Sequence, residues 1–363
     1  MPLQRTRQPL ALPRPLALAL RPFQRFLQNK SASGILLLVA TGVALVWANS
    51  RFGDSYRRLL EQTISVSGFG VGLSWPLHLW INDALMALFF FLVGMEIKRE
   101  LVLGELNSVR KAILPAFAAL GGMLVPALIY LAFNSGTESA RGWGIPVATD
   151  IAFALGALAL LRGRVPASLA IFLTALAVFD DLGAIVVIAL FYGQGVNAAA
   201  LLAAGGITLL LVAMNLFGVR RLWPYLAMGV LLWIAVLNSG VHATIAGVVL
   251  GLCIPSRTRR DPAEVDVLLD RLHTVNADTD SERFREETLD AIEGYLADTR
   301  APLDRLVRAL HPWVSFVIIP VFALANAGVE VAGLSPRDLV SPLTLGVALG
   351  LFLGKQAGIL GAT

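Results

Sequence analysis

The chain has 363 residues, of which 56% are hydrophobic and only 15% charged, and its mean hydropathy is +0.72. A soluble domain carries about a quarter charged residues, so this deficit excludes an ordinary soluble fold and fits a polytopic membrane protein, whose charge collects between long apolar runs. The net charge of +4 does not make a nucleic-acid binder, because the basic residues flank apolar spans and form no patch interleaved with aromatics; the single cysteine, Cys253, excludes an intrachain disulfide and a cysteine-based zinc site.

In chain order, the first 31 residues carry Arg5, Arg7, Arg14, Arg21, Arg25 and Lys30 and no acid. Pro13, Arg14 and Pro15 interrupt the apolar stretch that a cleaved secretory signal needs, so 1–32 is expected to be a basic cytoplasmic tail. Residues 33–363 then form a single transmembrane domain. Apolar runs long enough for a ~30 Å hydrocarbon core begin near Ser33, Trp80, Ala112, Trp143, Pro166, Val196, Leu222, Val241, Pro312 and Pro342. The expected fold is therefore all-α, with about ten transmembrane helices.

Alternate loops hold most of the Lys and Arg: Lys98 to Lys111, Arg162 and Arg164, Arg220 and Arg221, and the long loop 256–310. The basic side is cytoplasmic, which puts the N-terminus inside, and the C-terminus too after ten spans. Between the first two spans, residues 63–75 (TISVSGFGVGLSW) place β-branched residues in near alternation with turn glycines. This predicts an outer β-hairpin, with an irregular loop as the alternative. Within 256–310, Thr279 and Glu282 have capping-box spacing for a helix around 281–297. That loop is assigned no chemistry.

A charge at the bilayer centre costs at least about 2.5–3.5 kcal/mol, so the few deep ionisable residues carry information. Asp180 and Asp181 lie in a long apolar stretch with no proline between Ser168 and Tyr192, which predicts one continuous helix with both carboxylates near mid-membrane. Adjacent helical residues point about 100° apart, so the two can share a cavity and still find different partners. A helix break capped by the DDLG stretch is the alternative. Asp150 follows Thr149 between two apolar halves, each too short to span; this reads as an interrupted helix or as an ordinary N-cap. Lys355 either pairs with Asp180 or Asp181 or snorkels to the surface. Asp83 reads as a helix-end carboxylate, Glu96, Lys98, Arg99 and Glu100 as a solvated helix end, and His242 as a structural histidine. Cys253 reads as inert filling.

The segments WINDALMALFFFLVGMEIKREL, GGMLVPALIYLAFN, GIPVATDIAFALGALALL, AVFDDLGAIVVIALFY, SGVHATIAGVVLG, HPWVSFVIIPVFALANAGV and GLFLGK resemble, in order, those of the NhaA-type Na+/H+ antiporters. The resemblance implies an inverted-repeat transporter with an interrupted helix 4 and an outer β-hairpin through which dimers pair. It implies that Asp181 is the principal carboxylate for the ion and the proton, with Asp180 beside it as the second ligand of transported Na+. By the same resemblance Lys355 pairs with Asp180, and Thr149 and Asp150 fall on the interrupted helix. Glu96, Arg99 and Glu100 match a cluster tied to the pH response, and His242 a histidine that modulates it. Gln356 departs from the proline expected after Lys355, and 256–310 is longer than the family's short loops. Relative to the family, the last two helices are expected to be missing after Thr363, including a second interrupted helix.

The function implied is Na+ (or Li+) exchange for H+ across the bacterial inner membrane, active at alkaline pH and serving pH and sodium homeostasis. It needs the bilayer and no resident cofactor. Three other readings are carried: a non-transporting fragment of such an antiporter, a proton-coupled symporter of an organic solute, and an intramembrane aspartyl protease. The protease reading lacks the GxGD and YD contexts and has no use for Lys355.

Overall fold

The computed structural model describes residues 30–68, 71–147, 166–193, 195–256, 301–331, 333 and 335–363. Thr149, Asp150 and the helix expected around 281–297 lie outside them. The chain is mostly helical. Helix α1 (Lys30–Ala48) bends by 111° into α2 (Gly53–Glu61), and a two-stranded antiparallel sheet follows, β1 (Thr63–Gly68) and β2 (Val71–Pro76). The hairpin expected at 63–75 is thus present. Its register pairs Ser65 with Ser74, whose hydroxyls are 2.7 Å apart, and Ile64 with Trp75. The Trp80 indole donates to the Ile64 carbonyl at 3.0 Å, fastening the sheet to the helix that follows.

That helix is α3 (Leu77–Val102), and α4 (Val109–Asn134) follows it. Next come α5 (Ala167–Phe191), α6 (Ala198–Leu216), α7 (Leu222–Asn238), α8 (Thr244–Cys253), α9 (Pro302–Asn326) and the last helix α10, residues 342–362. Among the described residues six helices are long and apolar enough to cross a membrane, or seven if α1 and α2 form one bent span. Many of their large side chains point outward, among them Leu202, Leu209, Leu216, Val109 and Val46. A soluble protein would not tolerate such continuous apolar surface, and lipid would.

One boundary differs from expectation. The ninth span begins at Pro302, ten residues before the expected Pro312. The stretch PLDRLVRAL is amphipathic, so a search for apolar runs passes over it, yet Leu303 and Val307 are buried. Pro302 sits in the first helical turn, where its missing N–H costs nothing. Helix α8 is short: its ten residues make about 15 Å of helix, half of a bilayer core.

Two helix pairs approach unusually closely, each through glycines. In the first, α8 lies on α3: a Cβ at Gly251 would stand 2.7 Å from the Met95 nitrogen and the Phe91 oxygen, and one at Gly94 2.6 Å from the Val248 oxygen. In the second, α10 lies on α4: Gly346, Gly350, Gly354 and Gly358 follow one another every four residues. A Cβ at Gly354 would meet Pro126 Cα at 2.9 Å, and Gly358 touches the Gly121 backbone. Small residues at this spacing let backbones pack where lipid offers no hydrophobic drive. Helix α5 fills the seam between the pairs. Phe172, Leu173, Leu176 and Phe179 pack on Ala118, Ala119 and Met123 of α4 and Ile359 of α10. Val178, Leu182 and Ile185 pack on Val93 and Ile97 of α3 and Val248 of α8.

Candidate functional site

The position of α5 decides what its two carboxylates can do. Its sequence is free of proline from Ala167 to Phe191, and the helix runs through Asp180 and Asp181 without a break, so the DDLG stretch caps nothing. Asp180 lies four residues beyond Leu176 and three before Gly183, the face against α4 and α10. Asp181 lies three residues beyond Val178 and four before Ile185, the face against α3 and α8. The 100° offset of adjacent residues therefore assigns the carboxylates to the two sides of the seam.

Asp180 is 6% exposed. Across from it, the Lys355 ammonium donates to Oδ1 at 2.7 Å and Oδ2 at 2.8 Å, and to the Val147 carbonyl at 3.0 Å. The two side chains are 7% and 12% exposed. All three donors of the ammonium therefore have acceptors, and the carboxylate charge is compensated at its source. A buried ion pair persists only with such complete satisfaction. Of the two alternatives for Lys355, snorkelling is the one the geometry rejects. Gly122 of α4 admits α10 closely here: a Cβ there would stand 2.9 Å from Ile359 Cγ1, one turn beyond Lys355. The π-helical turn Gly350–Gly354 ends directly before Lys355; wide turns of this kind recur at functional positions.

Asp181 is half-buried beside this neutralised pair. Towards the Tyr192 end of the same seam lies an apolar crevice lined by Phe90, Ile185, Ile188, Thr244, Ile245 and Val248. No group of three metal-ligating side chains exists among the described residues.

The remaining sequence candidates lie elsewhere. Glu96 is on the last turns of α3, within electrostatic reach of Arg99, Glu100 and His311 of α9. Lys98, expected to be part of a solvated helix end, instead donates to the carbonyls of Leu252 at 2.8 Å and Ile254 at 2.6 Å. It caps the C-terminal end of α8, whose last carbonyls have no intrahelical partner. Asn215 donates to the Cys253 carbonyl between them at 2.9 Å. His242 is exposed just before α8, and its backbone carbonyl accepts from Ile245 N at 3.1 Å. Asp83 lies in the π-helical turn Trp80–Leu85, in electrostatic contact with His242.

Sequence reasoning missed the glycine repeat on α10, although its four-residue spacing is plain in LGVALGLFLGKQAGIL. It also missed Val147, which contributes a carbonyl and so leaves no signal in its side chain.

The chain as a whole is similar to known proteins. The chain matches the family model described as Na+/H+ antiporter 1 over residues 24–363. It is a member of that antiporter family. A Na(+)/H(+) antiporter NhaA from Oleidesulfovibrio alaskensis is 50% identical over 359 residues, covering 97% of this chain and 80% of the relative. One from an Anaeromyxobacter species is 50% identical over 351 residues, covering 94% and 75%. One from Rhodospirillum rubrum is 51% identical over 338 residues, covering 93% and 76%. Membership agrees with the multi-pass apolar architecture of a membrane protein.

Proposed function

We propose that the chain exchanges Na+, or Li+, for H+ across the bacterial inner membrane, as a transporter rather than an enzyme and with no resident cofactor. The observation that carries this reading is the Lys355 ammonium on both oxygens of Asp180, with the Asp181 carboxylate next to it on the same unbroken helix.

A carboxylate holds Na+ or H+ but not both well, because either one neutralises it. If the seam opens to each side in turn, binding one ion displaces the other, and antiport needs no further chemistry. Asp181 is the principal ligand, with Asp180 as second ligand and counter-charge to Lys355. Thr149 and Asp150 supply further oxygens from an interrupted helix. Low pH protonates the site and expels Na+, so transport rises towards alkaline pH, with Glu96, Arg99, Glu100 and His242 setting the response. The reading includes a cytoplasmic N-terminal tail at 1–32, a single transporter domain over 33–363 with 256–310 as a cytoplasmic loop, ten spans in an inverted repeat, and a homodimer paired through the β1–β2 hairpin.

The test is transport by the purified chain in proteoliposomes with a trapped pH dye, Na+ being added at alkaline pH. The expected result is a Na+-evoked pH change in the wild type that Asp181→Asn abolishes. An undiminished response from Asp181→Asn would remove Asp181 from the mechanism, and solute-driven proton flux without Na+ dependence would favour symport.

A further inference from the structure

We propose that Tyr192 is a positioning residue of the ion site, a claim that rests on the reading just given: its hydroxyl fixes the backbone at 141–147 so that the Val147 carbonyl meets the Lys355 ammonium.

Tyr192 is the first residue beyond α5, about three turns from Asp180. Its hydroxyl accepts from the Gly144 nitrogen at 2.9 Å and donates to the Arg141 carbonyl at 2.8 Å, so donor and acceptor are both engaged. The segment between these contacts is the 3-10 turn Glu138–Gly144. Its Trp143 ring lies edge-on to Phe191, with centroids 5.0 Å apart. From α4, the Tyr130 hydroxyl donates to the Ser139 carbonyl at 2.7 Å, and the bare Gly142 makes room, since a Cβ there would stand 2.5 Å from that oxygen.

The turn then transmits this placement. The Gly144 carbonyl accepts from the Val147 nitrogen at 3.2 Å, and the Val147 carbonyl accepts from Lys355 Nζ at 3.0 Å. Lys355 closes onto Asp180, which is on the same helix as Tyr192. The result is a closed circuit: α5, Asp180, Lys355, Val147, Gly144, Tyr192 and α5 again. An ammonium has three N–H donors, and Asp180 has oxygens for two of them. The third acceptor fixes where the ammonium sits along the seam, and with it the field at Asp181. A segment docked only by apolar contacts would leave that acceptor free to drift.

The test is Tyr192→Phe, which removes the hydroxyl and keeps the ring. In proteoliposomes the apparent KM for Na+ is expected to rise about three- to tenfold with kcat unchanged, the pattern of lost ion binding. In detergent, amide hydrogen exchange across 141–147 is expected to quicken while the thermal midpoint holds. Phe191→Leu, which removes ring packing against Trp143 and leaves the hydroxyl, is expected to keep the wild-type KM. A wild-type KM in Tyr192→Phe overturns the proposal. So does a fall of kcat and midpoint together, which marks a merely structural tyrosine. Failure of the underlying site reading shows separately, as Na+-evoked flux retained by Asp181→Asn.

Discussion

The two glycine-packed pairs, α8 on α3 and α10 on α4, are built alike, and each places a lysine where its helices meet. Lys98 sits on two backbone carbonyls at the end of α8. Lys355 sits on one carbonyl and a carboxylate. The acceptors make the difference. Carbonyls at a helix end carry only partial charge, so Lys98 completes a cap. A carboxylate carries a full charge, so Lys355 sets the electrostatics of the whole seam. A lysine inside a membrane protein has to be judged by what accepts its protons rather than by its depth alone.

Substitutions at matched positions can break this contrast. The largest effect is expected from Lys355→Met, which strands a buried carboxylate: the thermal midpoint in detergent should fall by the equivalent of about 3–5 kcal/mol, with Na+-evoked flux lost. Adding Asp180→Asn should restore most of the midpoint, because the unpaired charge is then gone; a midpoint that stays low in the double variant would mean that Lys355 acts through packing. Next come the glycines. Gly358→Ala and Gly251→Ala each push a methyl group into the facing backbone and should each cost about 1–3 kcal/mol. Only Gly358→Ala should also raise the KM for Na+, since it alone moves Lys355. Equal KM changes would erase the distinction between the pairs. The smallest effect is expected from Lys98→Met, which uncaps α8 at a cost of about 1 kcal/mol and leaves KM for Na+ at the wild-type value, with Lys98→Arg regaining part of the midpoint. A shift in KM from Lys98→Met would make the cap part of the ion pathway.

Much of the site was legible in the sequence because charge in an apolar span is costly. Asp180, Asp181 and Lys355 stand out against their surroundings, and the lack of proline from Ser168 to Tyr192 predicts the continuous helix that α5 forms. The β1–β2 hairpin was readable from alternation and turn glycines. Other features left weaker traces. The start of α9 at Pro302 escaped because an amphipathic turn does not register as an apolar run. Tyr192 and Tyr130 look like any tyrosine near a span end, where aromatic residues are common; nothing nearby in sequence names Gly144 or Ser139 as their targets. Lys98 stands in a run of charges that suggests water, while its acceptors come from a helix some 150 residues further along.

The sequence by itself determined that this chain lives in a membrane, which residues carry charge where charge is expensive, and which family the motifs resemble, because composition, periodicity and local spacing are properties of the linear chain. Only the tertiary structure decided that Lys355 belongs to Asp180 and Lys98 to the end of α8, and that Asp180 and Asp181 face different bodies. Pairing depends on depth and on approach between helices distant in sequence, and glycines with no side chain set that approach.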